Sequence, residues 1–233
     1  MKLLIVATCC LVLVSLPVHR TSTELPAVQV SNGSCISDHD LAQSLKAFSS
    51  GLKPDVHREI LSRYARRSPE CRAKIITTLL RAMDKPGLNM ERDGESFFLW
   101  HFGGELLSEL RATEALDLLV ANLEITDGES INFSHYPALE TVIGIGEGSI
   151  PKLSEKLKHE ERPGIRKLAV FCIGWIGGKS AKQALVKALP NEKDKCVSNF
   201  MQFFLKSFQN RKRPNHMAVG DYSEWSSAFF CEL

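Results

Sequence analysis

Apolar residues recur at spacings of three and four from Leu41 to Phe208, the period of helices that each bury one face. Ser37 with Asp40 three residues later resembles a capping box. It opens a helix with Leu41, Leu45 and Phe48 on one face and Gly51 as its stop. Pro54 opens the next, with Val56, Ile60, Leu61 and Tyr64 in step. Ser68 and Pro69 read as an N-cap followed by proline at the first helical position, where its missing N–H costs nothing. That third helix carries Ile75, Ile76, Leu79, Leu80 and Met83 before Pro86-Gly87. A loop through Asp93-Gly94 leads to Phe97, Phe98, Leu106, Leu107 and Leu110, and a helix from Thr113 to Leu123 follows. No run of alternating Val, Ile and Thr is flanked by hairpin turns, so the pattern predicts an all-α fold.

Within that pattern one unit occurs three times. Leu119, Leu153 and Leu185 fall at intervals of 34 and 32 residues, and Leu123, Leu157 and Leu189 follow at the same intervals. A period in this range marks a helical solenoid, whose units bury their apolar faces only against neighbours. In the clearest unit, Pro163 opens a helix, Ala169 faces a neighbour and Ile173-Gly174-Trp175-Ile176-Gly177-Gly178 closes it. Ser180 is expected to cap the second helix, with Ala184, Leu185 and Leu189 on its inner face. The glycines read as helix-ending turns.

The residues Ile165, Arg166, Ala169, Gly174, Ile176, Gly177, Ala181, Leu185 and Leu189 resemble HEAT repeats, in particular those of phycobilin-lyase-like HEAT proteins. Ile143, Gly144, Ile145, Gly146, Ile150, Leu153 and Leu157 carry the resemblance in the preceding unit. The likeness is good over residues 136–190 and fair over 96–123. The first unit departs from it, with Glu109-Leu110-Arg111 where the later units have glycine, as does the long stretch from Glu124 to Tyr136. The resemblance implies a right-handed α-α superhelix used for protein–protein contact. Bilin attachment belongs to some members of that family, and no residue here singles it out.

The N-terminus changes the setting. Lys2 precedes an apolar run from Leu3 to Leu16, then Pro17 and the polar His19-Arg20-Thr21-Ser22. This reads as a signal peptide over 1–22, with cleavage between 19 and 27; the run is shorter than the roughly 20 residues of a membrane span. An uncleaved N-terminal anchor is the alternative. Residues 23–36 form a flexible lead-in and 37–233 a helical-repeat domain, its HEAT-like units clearest at 96–190 and its C-terminal capping segment at 191–233. In that segment Trp225, Phe229 and Phe230 suggest a short helix folding back, with Arg211-Lys212-Arg213 as an exposed connector.

Formal net charge is +2, and loss of Lys2 and Arg20 leaves 27 basic against 27 acidic side chains. That balance gives no bulk attraction to nucleic acid. Cys35, Cys71, Cys172, Cys196 and Cys231 remain after cleavage, an odd number; Cys172 reads as a buried hydrophobe and Cys196 with Cys231 as the favoured disulfide. Asn32 and Asn132 begin glycosylation sequons, relevant only in a eukaryote.

Sharper chemistry does not accumulate. Gly178-Lys179-Ser180 lacks the first glycine of a phosphate-binding loop, where Ile173 stands, and lacks a preceding strand. Seven histidines show no metal-ligand spacing, though His101 beside Trp100 and His135 beside Tyr136 could share a face. No serine sits in a G-x-S-x-G elbow, and Glu105, Glu109 and Glu114 are expected on solvated faces or turns. The reading is therefore an exported, periplasmic or secreted, non-catalytic scaffold of about five or six helix pairs. It needs no cofactor and no metal, and its partner is an unidentified protein. A bilin-lyase-like chaperone or transferase and a hydrolase on a helical scaffold are the alternatives.

Overall fold

The structure, a computed structural model, describes residues 35–84, 94–126 and 136–209. These fall in one compact unit, Cys35–Leu233. The expected signal peptide over 1–22, the expected lead-in up to Ser34 and the C-terminal stretch beyond Gln209 lie outside the described residues, as do Asn32, Asn132, His135 and Cys231.

All regular structure among the described residues is helical: α1 (Asp38–Ser50), α2 (Pro54–Ala65), α3 (Pro69–Met83), α4 (Gly94–Glu109), α5 (Leu116–Ala121), α6 (Pro137–Ile145), α7 (Ile150–His159), α8 (Pro163–Ile176), α9 (Gly178–Ala188) and α10 (Lys195–Gln209). None is long and apolar enough to cross a membrane. The caps explain the first boundaries. Ser37 Oγ accepts the Asp40 N–H at 3.1 Å and donates to Asp40 Oδ2 at 2.6 Å. At the other end Gly51 adopts the left-handed conformation (φ 65°), and the Gly51 and Leu52 N–H groups donate to Phe48 and Ala47 carbonyls. Ser68 Oγ caps α3 through the Cys71 N–H.

Two rows of helices emerge from the packing. α4 packs against α6, α6 against α8 and α8 against α10, while α5 packs against α7 and α7 against α9. α1, α2 and α3 close around the other side of α4. Leu119, Leu153 and Leu185, the residues in register, are each 0% exposed. Leu123 and Leu157 are buried too, whereas Leu189, in the turn after α9, is only half-buried. An ion pair ties two neighbours of the second row, Lys152 Nζ of α7 to Asp117 Oδ1 of α5, and another ties α3 to the turn before α5, Arg72 Nη1 to Glu114 Oε1, each at 2.7 Å.

The glycines divide into two kinds, which corrects the expectation that all of them end helices. Gly146 (φ 84°) and Gly177 (φ 68°) do turn the chain between helices. Gly144 and Gly174 instead lie inside α6 and α8, where they let helices approach. A Cβ on Gly144 would stand 2.5 Å from Ser108 Oγ of α4, and one on Gly174 would run into the Phe204 ring of α10. The first unit solves its turn without glycine, since Arg111 adopts φ 48° eight residues before Leu119, as Gly177 stands eight before Leu185. Three boundaries also move. α9 begins at Gly178 with Gly177 at its cap, so Ser180 is no N-cap, and its hydroxyl donates to Glu147 instead. Gly94 begins α4 rather than ending a loop. The helix expected from Thr113 starts as a 3₁₀ turn, Thr113–Ala115, before α5.

Candidate functional site

Residues of α2, α4 and α6 line a cavity of 310 Å³ at the surface, beside the packed pairs α2–α4 and α4–α6. Arg58, His101, Glu105, Ser108, Glu109, Pro137, Glu140 and Thr141 line it. Arg58 of α2 is its pivot. It pairs with Glu105, with Asp55 at 2.7 Å and more distantly with Glu109 at 4.0 Å. Arg66, two turns along α2, takes Glu109 Oε1 at 2.7 Å, and Ser62 Oγ donates to the same oxygen at 2.6 Å. Glu105 is half-buried, whereas Glu109 and Glu114 are exposed, as expected of solvated faces and turns; each pairs with an arginine of a neighbouring helix. The spacing carried the signal: Glu105 and Glu109 are four apart and Arg58 and Arg66 eight apart, so each pair shares one helix face.

His101 is a half-buried part of the lining. Its ring stacks on Phe97 (centroids 6.0 Å apart, planes at 8°) and meets Phe102 edge-on at 5.0 Å. Glu105 and Glu140 carboxylates stand 3.8 and 3.9 Å from its two nitrogens. Burial, aided by the Arg58 guanidinium, holds its pKa below the ordinary histidine value, so the imidazole is neutral at pH 7. From the sequence this residue reads as a packed or exposed histidine that could share a face with His135; the structure packs it on Phe97 and Phe102, and His135 lies outside the described residues.

The hydroxyls of the site are already committed. Ser108 Oγ donates to the Thr141 carbonyl at 3.2 Å, Thr141 Oγ1 to the Pro137 carbonyl at 2.7 Å, and Ser62 Oγ to Glu109. A serine nucleophile needs its proton directed at a base; Ser108 and Thr141 direct theirs at backbone carbonyls, while Ser62 directs its proton at the Glu109 carboxylate that Arg66 also holds. Three carboxylates against Arg58 leave the lining acidic, suited to hydrogen-bonding or cationic groups of a bound molecule. Among the described residues, no group of three or more His, Cys, Asp or Glu side chains could hold a metal ion.

The remaining sequence-predicted residues lie elsewhere. Cys35 is bonded to Cys71, with Cα atoms 5.3 Å apart, which staples the start of α1 to the first turn of α3. Lys74 reinforces that junction by donating to the Ile36 carbonyl at 2.8 Å. Cys172 is the free, buried thiol expected, and burial pushes its pKa up. Cys196, in the first turn of α10, is disulfide-bonded. Gly178-Lys179-Ser180 forms the first turn of α9 directly after a helix, without the strand a phosphate loop grows from. No protein-family model, curated protein or solved structure matches this chain.

Proposed function

We propose that this chain is an exported, non-catalytic HEAT-like repeat protein that works as a protein-interaction or scaffold module. One observation carries the reading: the helices stack as two rows, with Leu119, Leu153 and Leu185 buried at equivalent places in the second row. Such stacking is how a right-handed α-α superhelix is built, and superhelices of this kind present an extended face to partners. The groove between α2, α4 and α6 supplies polar, acidic chemistry on that face. The Ser108 and Thr141 hydroxyls that line it donate to backbone carbonyls, not to a base, which favours binding over hydrolysis.

The test uses the purified mature chain and the variant Glu105→Lys/Glu140→Lys. Affinity capture from the compartment to which the chain is exported should enrich a defined protein with the native chain and lose it with the variant. Repeated capture that enriches nothing above background would sink the scaffold reading. Turnover of an ester, peptide, glycoside or phosphate substrate that His101→Ala abolishes would replace it with an enzymatic one.

A further inference from the structure

We propose that the flank of α10 carrying Cys196 and Phe203 is the docking surface for the chain's own C-terminal stretch, Trp225 to Cys231, tethered there by a disulfide between Cys196 and Cys231. Cys196 is disulfide-bonded. Cys35 is taken by Cys71, and Cys172 is free and 0% exposed inside α8. Of the seven cysteines only Cys9, Cys10 and Cys231 remain, and the first two sit within the apolar run Leu3 to Leu16 at the opposite end of the chain. Cys231 is the partner that keeps the bond within the helical unit.

The helix shows where a tethered segment would lie. Val197, Phe200, Met201 and Phe204 are buried by the face α10 turns to α8 and α9. Cys196 and Phe203 are seven residues apart, two turns on one flank of that face, and both are half-buried. No described helix follows α10 in its row, so this flank is the open end of the stack, where repeat proteins require a cap. The C-terminal stretch has matching chemistry: Trp225, Phe229 and Phe230 precede Cys231 by six, two and one residues. Length permits the return. Running back along α10 from Gln209 to Cys196 covers about 20 Å at the helical rise, whereas the 22 residues from Asn210 to Cys231 can extend to roughly 70 Å. Once the bond is made, the aromatic residues face Phe203 at an effective concentration no free partner or second copy matches.

Forming the bond joins two sulfurs, releases two thiol protons and passes two electrons to a thiol–disulfide oxidoreductase in its disulfide form, the oxidant of export compartments. The proposal rests on the export reading only through that oxidant. It stands whether or not the acidic groove binds a protein.

Peptide mapping of the full chain under non-reducing conditions, with free thiols blocked, reads the pairing. A linked peptide containing Cys196 and Cys231, beside one containing Cys35 and Cys71, is expected; Cys196 joined to any other cysteine overturns the assignment. Docking is read by hydrogen exchange over α10 in the native chain, in Cys231→Ser and in Trp225→Ser, which keeps the disulfide. Several-fold faster exchange over residues 196–209 in both variants is expected. Unchanged exchange in Trp225→Ser overturns the docking, and because that variant retains the bond, a folding defect from thiol loss cannot mimic the result.

Discussion

Arg166 and Glu192 are joined by two hydrogen bonds, Nε to Oε2 at 2.9 Å and Nη2 to Oε1 at 2.7 Å, with only 13% and 5% of their side chains exposed. Arg166 also donates through Nη1 to the Glu160 and Glu161 carbonyls at 3.0 and 2.7 Å. One guanidinium thereby ties the turn before α8 to the turn before α10. Burial raises the Glu192 pKa, but the hydrogen bonds from Arg166 and the Asp194 N–H outweigh it, and the carboxyl titrates below its ordinary value. Replacing Arg166 with alanine leaves a carboxylate buried without its partner, and the expected loss is about 3 kcal/mol. Urea unfolding of Arg166→Ala measures it; a loss below about 1 kcal/mol would class the pair with ordinary surface bridges.

Arg111→Gly and Gly174→Ala should move stability in opposite directions. Arg111 is exposed and left-handed (φ 48°), so glycine relieves about 1–2 kcal/mol of backbone cost and gives part of it back as unfolded-state entropy. A net gain of about 0.5–1 kcal/mol is expected. Alanine at 174 drives a methyl into the Phe204 ring, with an expected cost of about 1–3 kcal/mol. Thermal unfolding of both variants tests the two roles; equal shifts would contradict the distinction between turn and contact.

Leucines in register are not equivalent. Leu153 is fully buried between neighbours of its row, so Leu153→Ala should cost about 2–5 kcal/mol. Leu189, half-buried after α9, should cost no more than about half of that in the same assay. Equal losses would mean that Leu189 is covered as completely as Leu153.

Acidification should weaken the fold through the groove. The His101 pKa is depressed by burial and by Arg58, so between that value and the unfolded value of 6.5 the unfolded chain binds more protons. Stability therefore falls as pH drops below 6.5. His101→Phe, which keeps a ring against Phe97, should flatten the decline between pH 7.5 and 5.5 in part, since His57 is also depressed by burial. An identical slope in the variant would count against a neutral, buried imidazole.

A second, lower window belongs to Glu160. Hydrogen bonds from Arg162 and Lys156 hold its pKa at about 2, against the ordinary 4.5. Its contribution is complete above the unfolded value and is lost as pH falls from about 4.5 toward 2. Glu160→Gln should remove that part of the acid transition, read as a shallower dependence of the unfolding midpoint between pH 5 and 3.

The sequence alone determined what depends on neighbours along the chain. Helix type follows from apolar spacing, the α1 and α3 caps from Ser37 and Ser68, and the buried register from Leu119, Leu153 and Leu185, because each is a local rule of backbone geometry and solvation. Only the tertiary structure decided what depends on contacts across 30 to 50 residues. It chose which glycines turn the chain and which admit Ser108 or Phe204, paired Cys35 with Cys71, and set Arg58 against Glu105. Those choices rest on which helix faces meet, and the groove around His101 exists only once α2, α4 and α6 do so. A periodic pattern states that a face is buried; packing alone states against what.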